Sequence, residues 1–252
     1  MIDEETRRKL RELNMGEMVD ALDMQDSDLA CMGVAFDERI KMAVDYVYEE
    51  KHAASVKRLL GRARLRFPEA DIGDMIYEGR GIDGVLIREV ATCQFMRGAA
   101  NVVIEGCTGT GKSFLGCCLA KQACRMRKSA RYVRMPDLLM ERDELAAVER
   151  SDAKILKKYA RYELLVIDEW LTEEVDDIDV RFMFELVERR YLDKSTVLCT
   201  QYAPADWHEL LGGGVQADAM VDRLVHGAVR IDLGDVNVRK LLAEKKKRAN
   251  GD

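Results

Sequence analysis

The chain has 252 residues, 48% of them hydrophobic, with 40 basic against 46 acidic side chains and a formal net charge of −6. That length holds one large domain or two smaller ones, and the apolar content excludes gross disorder. The acidic balance excludes a protein that coats nucleic acid through its global field, so any DNA contact has to come from a local basic patch.

The 7 cysteines are odd in number, contain no C-x-x-C pair and sit in apolar runs, which predicts free buried thiols in a reducing compartment. His52, His208 and His226 are far apart in sequence and suggest no zinc site. The first residues are charged, unlike a signal peptide. No apolar run approaches the roughly 20 residues of a membrane span, so the expectation is a soluble cytoplasmic protein with no membrane partner.

Residues 1–67 read as helical. Leu10, Leu13, Met18, Ala21 and Leu22 form an apolar stripe with a break near Asn14–Gly16, and Phe36, Ile40, Val44 and Val47 repeat at helical spacing. From Lys51 to Phe67 there is no acid, but there are Lys51, Lys57, Arg58, Arg62, Arg64 and Arg66 beside an apolar face of Val56, Leu59, Leu60 and Ala63. Two readings stand side by side: a solvated helix face, or a track of Lys57, Arg58, Arg62, Arg64 and Arg66 against a phosphate backbone. Phe67-Pro68 predicts a break, because proline restrains the residue before it. The boundary is set there, giving an all-α domain over 1–70 and a second domain over 71–252.

After a stretch with Gly73, Gly79 and Gly81, Ile82, Val85, Leu86, Val90 and Cys93 predict a helix. Asn101–Glu105 then reads as a buried strand. It runs into Gly106-Cys107-Thr108-Gly109-Thr110-Gly111-Lys112-Ser113, the pattern G-x-x-x-x-G-K-[ST], and Phe114 continues into a helix. Strand, glycine loop and helix form a phosphate cradle: backbone N–H groups turn inward, the helix dipole adds positive potential, Lys112 reaches the β- and γ-phosphates, and the Ser113 hydroxyl serves Mg²⁺.

Strands and helices then alternate. Ala130–Met135 is the second predicted strand, Pro136 to about Arg161 is helical, and Glu163–Ile167 is the third strand, ending in Asp168-Glu169. A helix over Asp176–Tyr191, a strand over Ser195–Gln201, a short helix from Pro204, a helix over Asp218–His226 and a strand over Val229–Leu233 follow. A polar tail helix closes the series and ends in Lys245–Arg248. Such alternation predicts an α/β fold, a parallel sheet with helices on both faces.

Asp168 at a strand end can hold Mg²⁺ through its water shell, and Glu169 can polarise a water against the γ-phosphate; the plain alternative is a carboxylate pair capping a strand. A small-molecule kinase has no use for such a glutamate. Gln201 ends the fourth strand, where open parallel sheets bind ligands, so it reads either as a bridge to the lytic water or as a loop amide bonded to backbone. Arg223 and Arg239 read either as solvated charges or as arginines that neutralise transition-state charge.

With these stretches assembled, the chain resembles the IstB-type transposition helper ATPases, relatives of the DnaC-type helicase loaders in the AAA+ superfamily. The matching stretches are Gly106–Ser113, Leu164–Trp170, Ser195–Gln201 with Trp207–Leu210, and above all Ala217–His226. Met15–Met18 and Gly61–Arg66 fit the family's N-terminal helical region. The resemblance implies a P-loop NTPase core of five parallel strands, Lys112 and Ser113 as Walker A, Asp168 and Glu169 as Walker B, Gln201 as sensor 1, Arg223 as a finger acting in trans, and Arg239 as sensor 2. It implies an ATP- and Mg²⁺-dependent homo-oligomer that assembles on double-stranded DNA and assists a cognate transposase; the alternative is a loader-like protein adaptor switched by ATP. The chain departs from the family at Glu169, where a second aspartate is common, and at Asn237, where serine is. Too few residues follow Leu233 for the helical lid domain of most AAA+ proteins, which leaves the tail to complete a neighbour's site or to carry Lys245–Arg248 towards DNA.

Overall fold

The structure, a computed structural model, describes residues 2–77, 79–149 and 151–249, the side chains of 245–249 excepted. Lys245–Arg248 thus lie outside the residues whose side chains are described. The chain divides into two compact units, Met1–Arg58 and Leu59–Asp252.

In the first unit, α1 (Glu4–Glu12) starts at Asp3, whose carboxylate accepts the Thr6 N–H at 2.7 Å and satisfies one of the free donors of the first turn. The expected break appears at Asn14, whose φ of 55° turns the chain into α2 (Gly16–Ser27). The Arg7 guanidinium forks onto Asp23 at 2.6 and 2.5 Å, joining α1 to α2. The Gln25 amide donates to the Arg39 carbonyl at 2.7 Å and joins α2 to α3 (Phe36–Ala63). The apolar repeat on α3 is helical as its spacing predicts, yet it faces outward: Phe36 is 74% exposed and Val44 50%.

The proline break puts the boundary near 70, whereas the contacts divide the chain at 58/59. The reason is packing: Leu59, Leu60, Leu65 and Phe67 lie against the core of the second unit, where Ala63 and Ala70 are buried.

The second unit is built on β1 (Val102–Glu105), β2 (Ala130–Arg134), β3 (Leu164–Trp170), β4 (Ser195–Thr200) and β5 (Val229–Asp232). Among the described residues these five strands form one parallel sheet in the order β2-β3-β4-β1-β5. Strand residues alternate between two apolar layers. Val102, Ile104, Val166, Val197, Cys199 and Ile231 join α4 (Gly84–Ala91) and α5 (Lys112–Arg125) on one side. Val103, Leu165, Ile167 and Leu198 join α6 (Met135–Glu149), α7 (Ala153–Ala160), α8 (Asp177–Glu188) and α10 (Gly214–Val225) on the other. α9 (Trp207–Leu210) brings Trp207 edge-on to Trp170, ring centroids 5.7 Å apart. Each such fully buried large side chain contributes about 1.5–3 kcal/mol. The helical region expected from Pro136 to Arg161 is two helices, α6 and α7, with Ser151 and Asp152 outside both.

Because all five strands are parallel, the residues that follow β1, β3 and β4 gather at one edge, with Ile104 paired to Cys199 and Ile167 to Leu198. β5 is followed, among the described residues, by one helix, α11 (Val238–Ala249), and no lid domain is evident.

Candidate functional site

The loop after β1 depends on backbone that only glycine adopts freely. Gly106 has φ 144° and Gly109 φ 87°. A Cβ on Gly106 would stand 2.9 Å from Thr110 Oγ1, and one on Gly109 2.6 Å from Asn237 Oδ1. Cross-bonds hold the curve: the Cys107 N–H donates to the Gly234 carbonyl at 3.0 Å and the Thr110 hydroxyl to the Cys107 carbonyl at 2.9 Å. The Lys112 ammonium lies across the loop, donating to the carbonyls of Gly106 at 2.6 Å and Cys107 at 2.8 Å. Burial lowers its pKa, with Cys199 and Asp168 acting against that fall. A half-buried cation that leans on carbonyl oxygens lacks a better anionic partner, and a phosphate is the partner it fits.

Beside the loop is a cavity of about 390 Å³. Lys112, Ser113, Arg239 and the loop backbone line one part, and Phe67, Met75, Ile76, Phe114, Val238 and Leu242 line the rest. Charge at one end and apolar walls at the other suit a nucleotide, phosphates to the loop and base to the walls. Ser113 and Phe114 were named from the sequence. Phe67, Met75, Ile76, Val238 and Leu242 were not, because they come from irregular segments and from the tail helix and share no motif.

The tail helix belongs to this wall. The Val238 N–H donates to the Gly109 carbonyl at 2.9 Å, and the Asn237 amide reaches the Thr108 carbonyl at 3.4 Å. Asn237 Oδ1 also accepts the Lys240 N–H at 3.1 Å, capping α11. The first turns of the tail thus lie against the loop of their own chain. They line the cavity of their own chain, and Arg239 with them.

Arg80, which no motif singled out, is 8% exposed and braces the loop. Its guanidinium donates to the carbonyls of Ile76 at 2.9 Å, Thr110 at 2.5 Å and Leu233 at 3.1 Å. Burial lowers its pKa.

Asp168 is 1% exposed in β3, two residues before its end. One of its oxygens accepts the Tyr132 hydroxyl from β2, and the other the Glu169 N–H at 2.9 Å. Burial, then the Asp168 charge, pushes the Tyr132 phenol up, so it stays a donor. The register of β3 against β4 breaks between Ile167 and Trp170, and Glu169 takes a φ of 56° inside that irregularity. Its carboxylate is held by two arginines. Arg134, the last residue of β2, donates from Nε at 2.8 Å and Nη2 at 2.5 Å to Oε2; Arg66 donates at 3.2 Å to Oε1. The bonds from Arg134, then those from Arg66, hold the Glu169 carboxyl below its usual range. Gln201 is bonded to the phosphate loop rather than to backbone: Thr108 Oγ1 donates to its Oε1 at 2.8 Å.

Two sets of residues are elsewhere. The Arg223 side chain pairs with Glu188 and lies over the rings of Phe184 and Tyr191, at 5.6 and 5.5 Å. Its carbonyl accepts from Asn101, just before β1, so the whole strand of 4 residues, about 13 Å, separates it from its own loop. Lys57, Arg58, Arg62 and Arg64 are exposed and have no carboxylate partner among the described residues. Arg66 differs from them, being engaged with Glu169 and standing 3.9 Å from Asp168. The cysteines are all free, but Cys107, on the loop, is exposed, which corrects the expectation that every thiol is buried.

Comparison with known proteins agrees with this geometry. The profile of the family described as IstB-like ATP binding protein matches residues 8–248. An insertion sequence ATP-binding protein of Sinorhizobium fredii is 30% identical over 96% of this chain and 97% of its own. The ATP-binding protein of insertion sequence IS1162 from Pseudomonas fluorescens is 30% identical over 80% of this chain and 87% of its own. Among solved structures, AMPPCP-bound DnaA from Aquifex aeolicus superposes with a TM-score of 0.58 at 21% identity, over 73% of this chain and 56% of that one. The DnaC helicase loader superposes with a TM-score of 0.56 at 19% identity, over 66% of this chain and 98% of that one. At such identities the likeness is one of fold, that of the AAA+ core. The chain belongs to the IstB-like ATP binding protein family and is an ATPase built on a five-stranded AAA+ core.

Proposed function

We propose that this ATPase assembles in several copies on double-stranded DNA, driven by ATP and Mg²⁺, and so prepares a target for a cognate transposase. The relatives are proteins of insertion sequences. The observation that carries the reading is the distance of Arg223 from its own loop: an arginine at the far end of β1 can serve a nucleotide only in a neighbouring copy. The exposed, unpaired Lys57, Arg58, Arg62 and Arg64 support a contact with phosphate backbones. The outward apolar stripe of Phe36, Ile40, Val44 and Tyr48 supports a protein partner.

Ser113 and Asp168 offer a hydroxyl and a carboxylate at the phosphate end, an all-oxygen set of the kind Mg²⁺ takes. Mg²⁺, when bound, supplies charge to the β- and γ-phosphates; Lys112 and Arg239 neutralise their remaining charge, Glu169 takes a proton from water, and Gln201 orients that water. Tyr132 orients Asp168, so Tyr132→Phe should weaken Mg²⁺ activation about 10- to 100-fold with little change in ATP affinity. A Mg²⁺ titration of the ATPase reads this, and an unmoved midpoint removes Tyr132 from the role.

Sedimentation with duplex DNA under ATP, ADP and no nucleotide tests the main reading. Growth beyond a dimer should need both DNA and ATP, and Arg223→Ala should prevent the stimulation of hydrolysis by assembly. Charge reversal at Arg58 and Arg62 should weaken DNA binding and flatten its salt dependence by about 1 per lost contact, with ATP binding intact. Assembly indifferent to DNA would favour the loader-like adaptor instead.

A further inference from the structure

The basic run and the catalytic edge of the sheet, separate features in the sequence, meet at Arg66. The helix α3 ends at Ala63, and Arg64 follows with φ 51°, a left-handed turn that sends the chain back towards the sheet. Two residues later the Arg66 guanidinium reaches Glu169 Oε1 at 3.2 Å and stands 3.9 Å from Asp168. The next residue, Phe67, carries that guanidinium over its ring at 5.7 Å and packs on Phe114 at 6.2 Å, beside Ser113 of the loop. One short segment therefore touches both halves of the nucleotide site.

With Arg134 on Oε2 and Arg66 on Oε1, both oxygens of Glu169 are engaged. A general base needs an oxygen free to meet the proton it removes. As paired, Glu169 accepts three hydrogen bonds and keeps a single lone pair for a proton, on Oε1 beside the Arg66 guanidinium.

The geometry points to Arg66 as a positioning residue that restrains Glu169, and to nucleic-acid phosphate as the ligand that draws Arg66 away and frees the base. Arg66 is suited to the exchange. Its side chain is 39% exposed and that of Glu169 28%, so the pair is partly exposed and open to screening, with Tyr132 a further partner of the guanidinium. It follows Arg62 and Arg64 in an acid-free stretch, and a duplex offers about one phosphate charge per 1.7 Å. A fork-shaped guanidinium bonds phosphate as readily as carboxylate. The two contacts compete for one side chain, so DNA binding and hydrolysis become linked through it. The release step rests on the proposed DNA-binding function; the restraint rests on the ion pair alone.

Arg66→Ala, Arg66→Lys and Glu169→Gln test this in the full-length protein, with a short duplex as the probe. Without DNA, Arg66→Ala should raise kcat roughly fivefold or more and leave KM for ATP nearly unchanged, and DNA should then stimulate it little further. Arg66→Lys, which keeps one donor and the charge, should fall between. A variant that merely damaged the fold would lose activity instead of gaining it. Fluorescence anisotropy gives a reading independent of turnover. The slope of log affinity against log salt should fall by about 0.9 in Arg66→Ala. Nucleotide-free Glu169→Gln, which loosens its hold on Arg66, should bind DNA several-fold more tightly, as reciprocal linkage demands. A DNA-free rate that is unchanged or lower in Arg66→Ala, in a wild type that DNA stimulates, overturns the restraint and leaves the proposed function standing. An unchanged salt slope overturns the exchange. A wild type that binds no DNA at low salt overturns the DNA-binding function, and the release step with it.

Discussion

Replacing Glu169 by glutamine is expected to lower kcat about 10²- to 10⁴-fold, the usual worth of a positioned general base. Glutamine keeps the shape and loses the ability to accept a proton. ATP affinity should change little, because the cavity beside the loop is lined by Lys112, Ser113, Phe114, Arg239 and the loop itself, without Glu169. The variant also loses the charge that pairs Arg134 and Arg66, but these are partly exposed pairs, worth about 0–1 kcal/mol each. A melting temperature near that of wild type, with hydrolysis nearly abolished, is the expected combination. Steady-state phosphate release and a fluorescent-nucleotide titration measure the two parts. A fall in kcat smaller than about tenfold would remove Glu169 from the role of base.

Lys112→Ala is expected to separate binding from folding. The ammonium is about half buried and bonds two loop carbonyls, so its removal loses two hydrogen bonds of about 0.5–1.5 kcal/mol each and relieves a desolvated cation. These terms oppose one another, and stability should shift by no more than about 1 kcal/mol. Nucleotide binding loses its charge-assisted contact with the phosphates and should weaken roughly 100-fold, about 2.7 kcal/mol. Thermal unfolding with and without ATP shows both effects at once. Ligand at about 100 times Kd stabilises a binding-competent chain by about 2.7 kcal/mol, and the variant should show almost none of that gain at the same concentration. An undiminished shift would mean that the ammonium does not meet the phosphates.

The braces around these two residues explain what a local reading found and missed. The loop was legible because a run of eight residues carries its own conformation: glycines at 106, 109 and 111 supply positive φ, and Lys112 begins a helix. Asp168 was legible because it follows four apolar strand residues, Leu164 to Ile167. Tyr132 was not, since it looks like any aromatic of a buried strand until β2 lies beside β3, with Val133 opposite Ile167. Arg80 reads as an ordinary loop cation until its guanidinium is found under the loop, bonded to three carbonyls. The break between α6 and α7 has no local mark, because neither glycine nor proline stands there.

By itself the sequence determined the alternation of strands and helices, the parallel sheet with a helical region before it, the phosphate loop and the family. All of these rest on short-range patterns: side-chain period, turn chemistry and contiguous motifs. Only the tertiary structure decided which side chains share a partner. Strand order brought β2 beside β3 and set Arg134 on Glu169. The left-handed turn at Arg64 took Arg66 out of a basic run and set it against the same carboxylate. The tail returned to its own loop through Asn237 and Val238. The physical reason is the same each time: an ion pair or hydrogen bond depends on a distance of a few ångströms between groups more than 30 residues apart, and local preference carries no information about that distance.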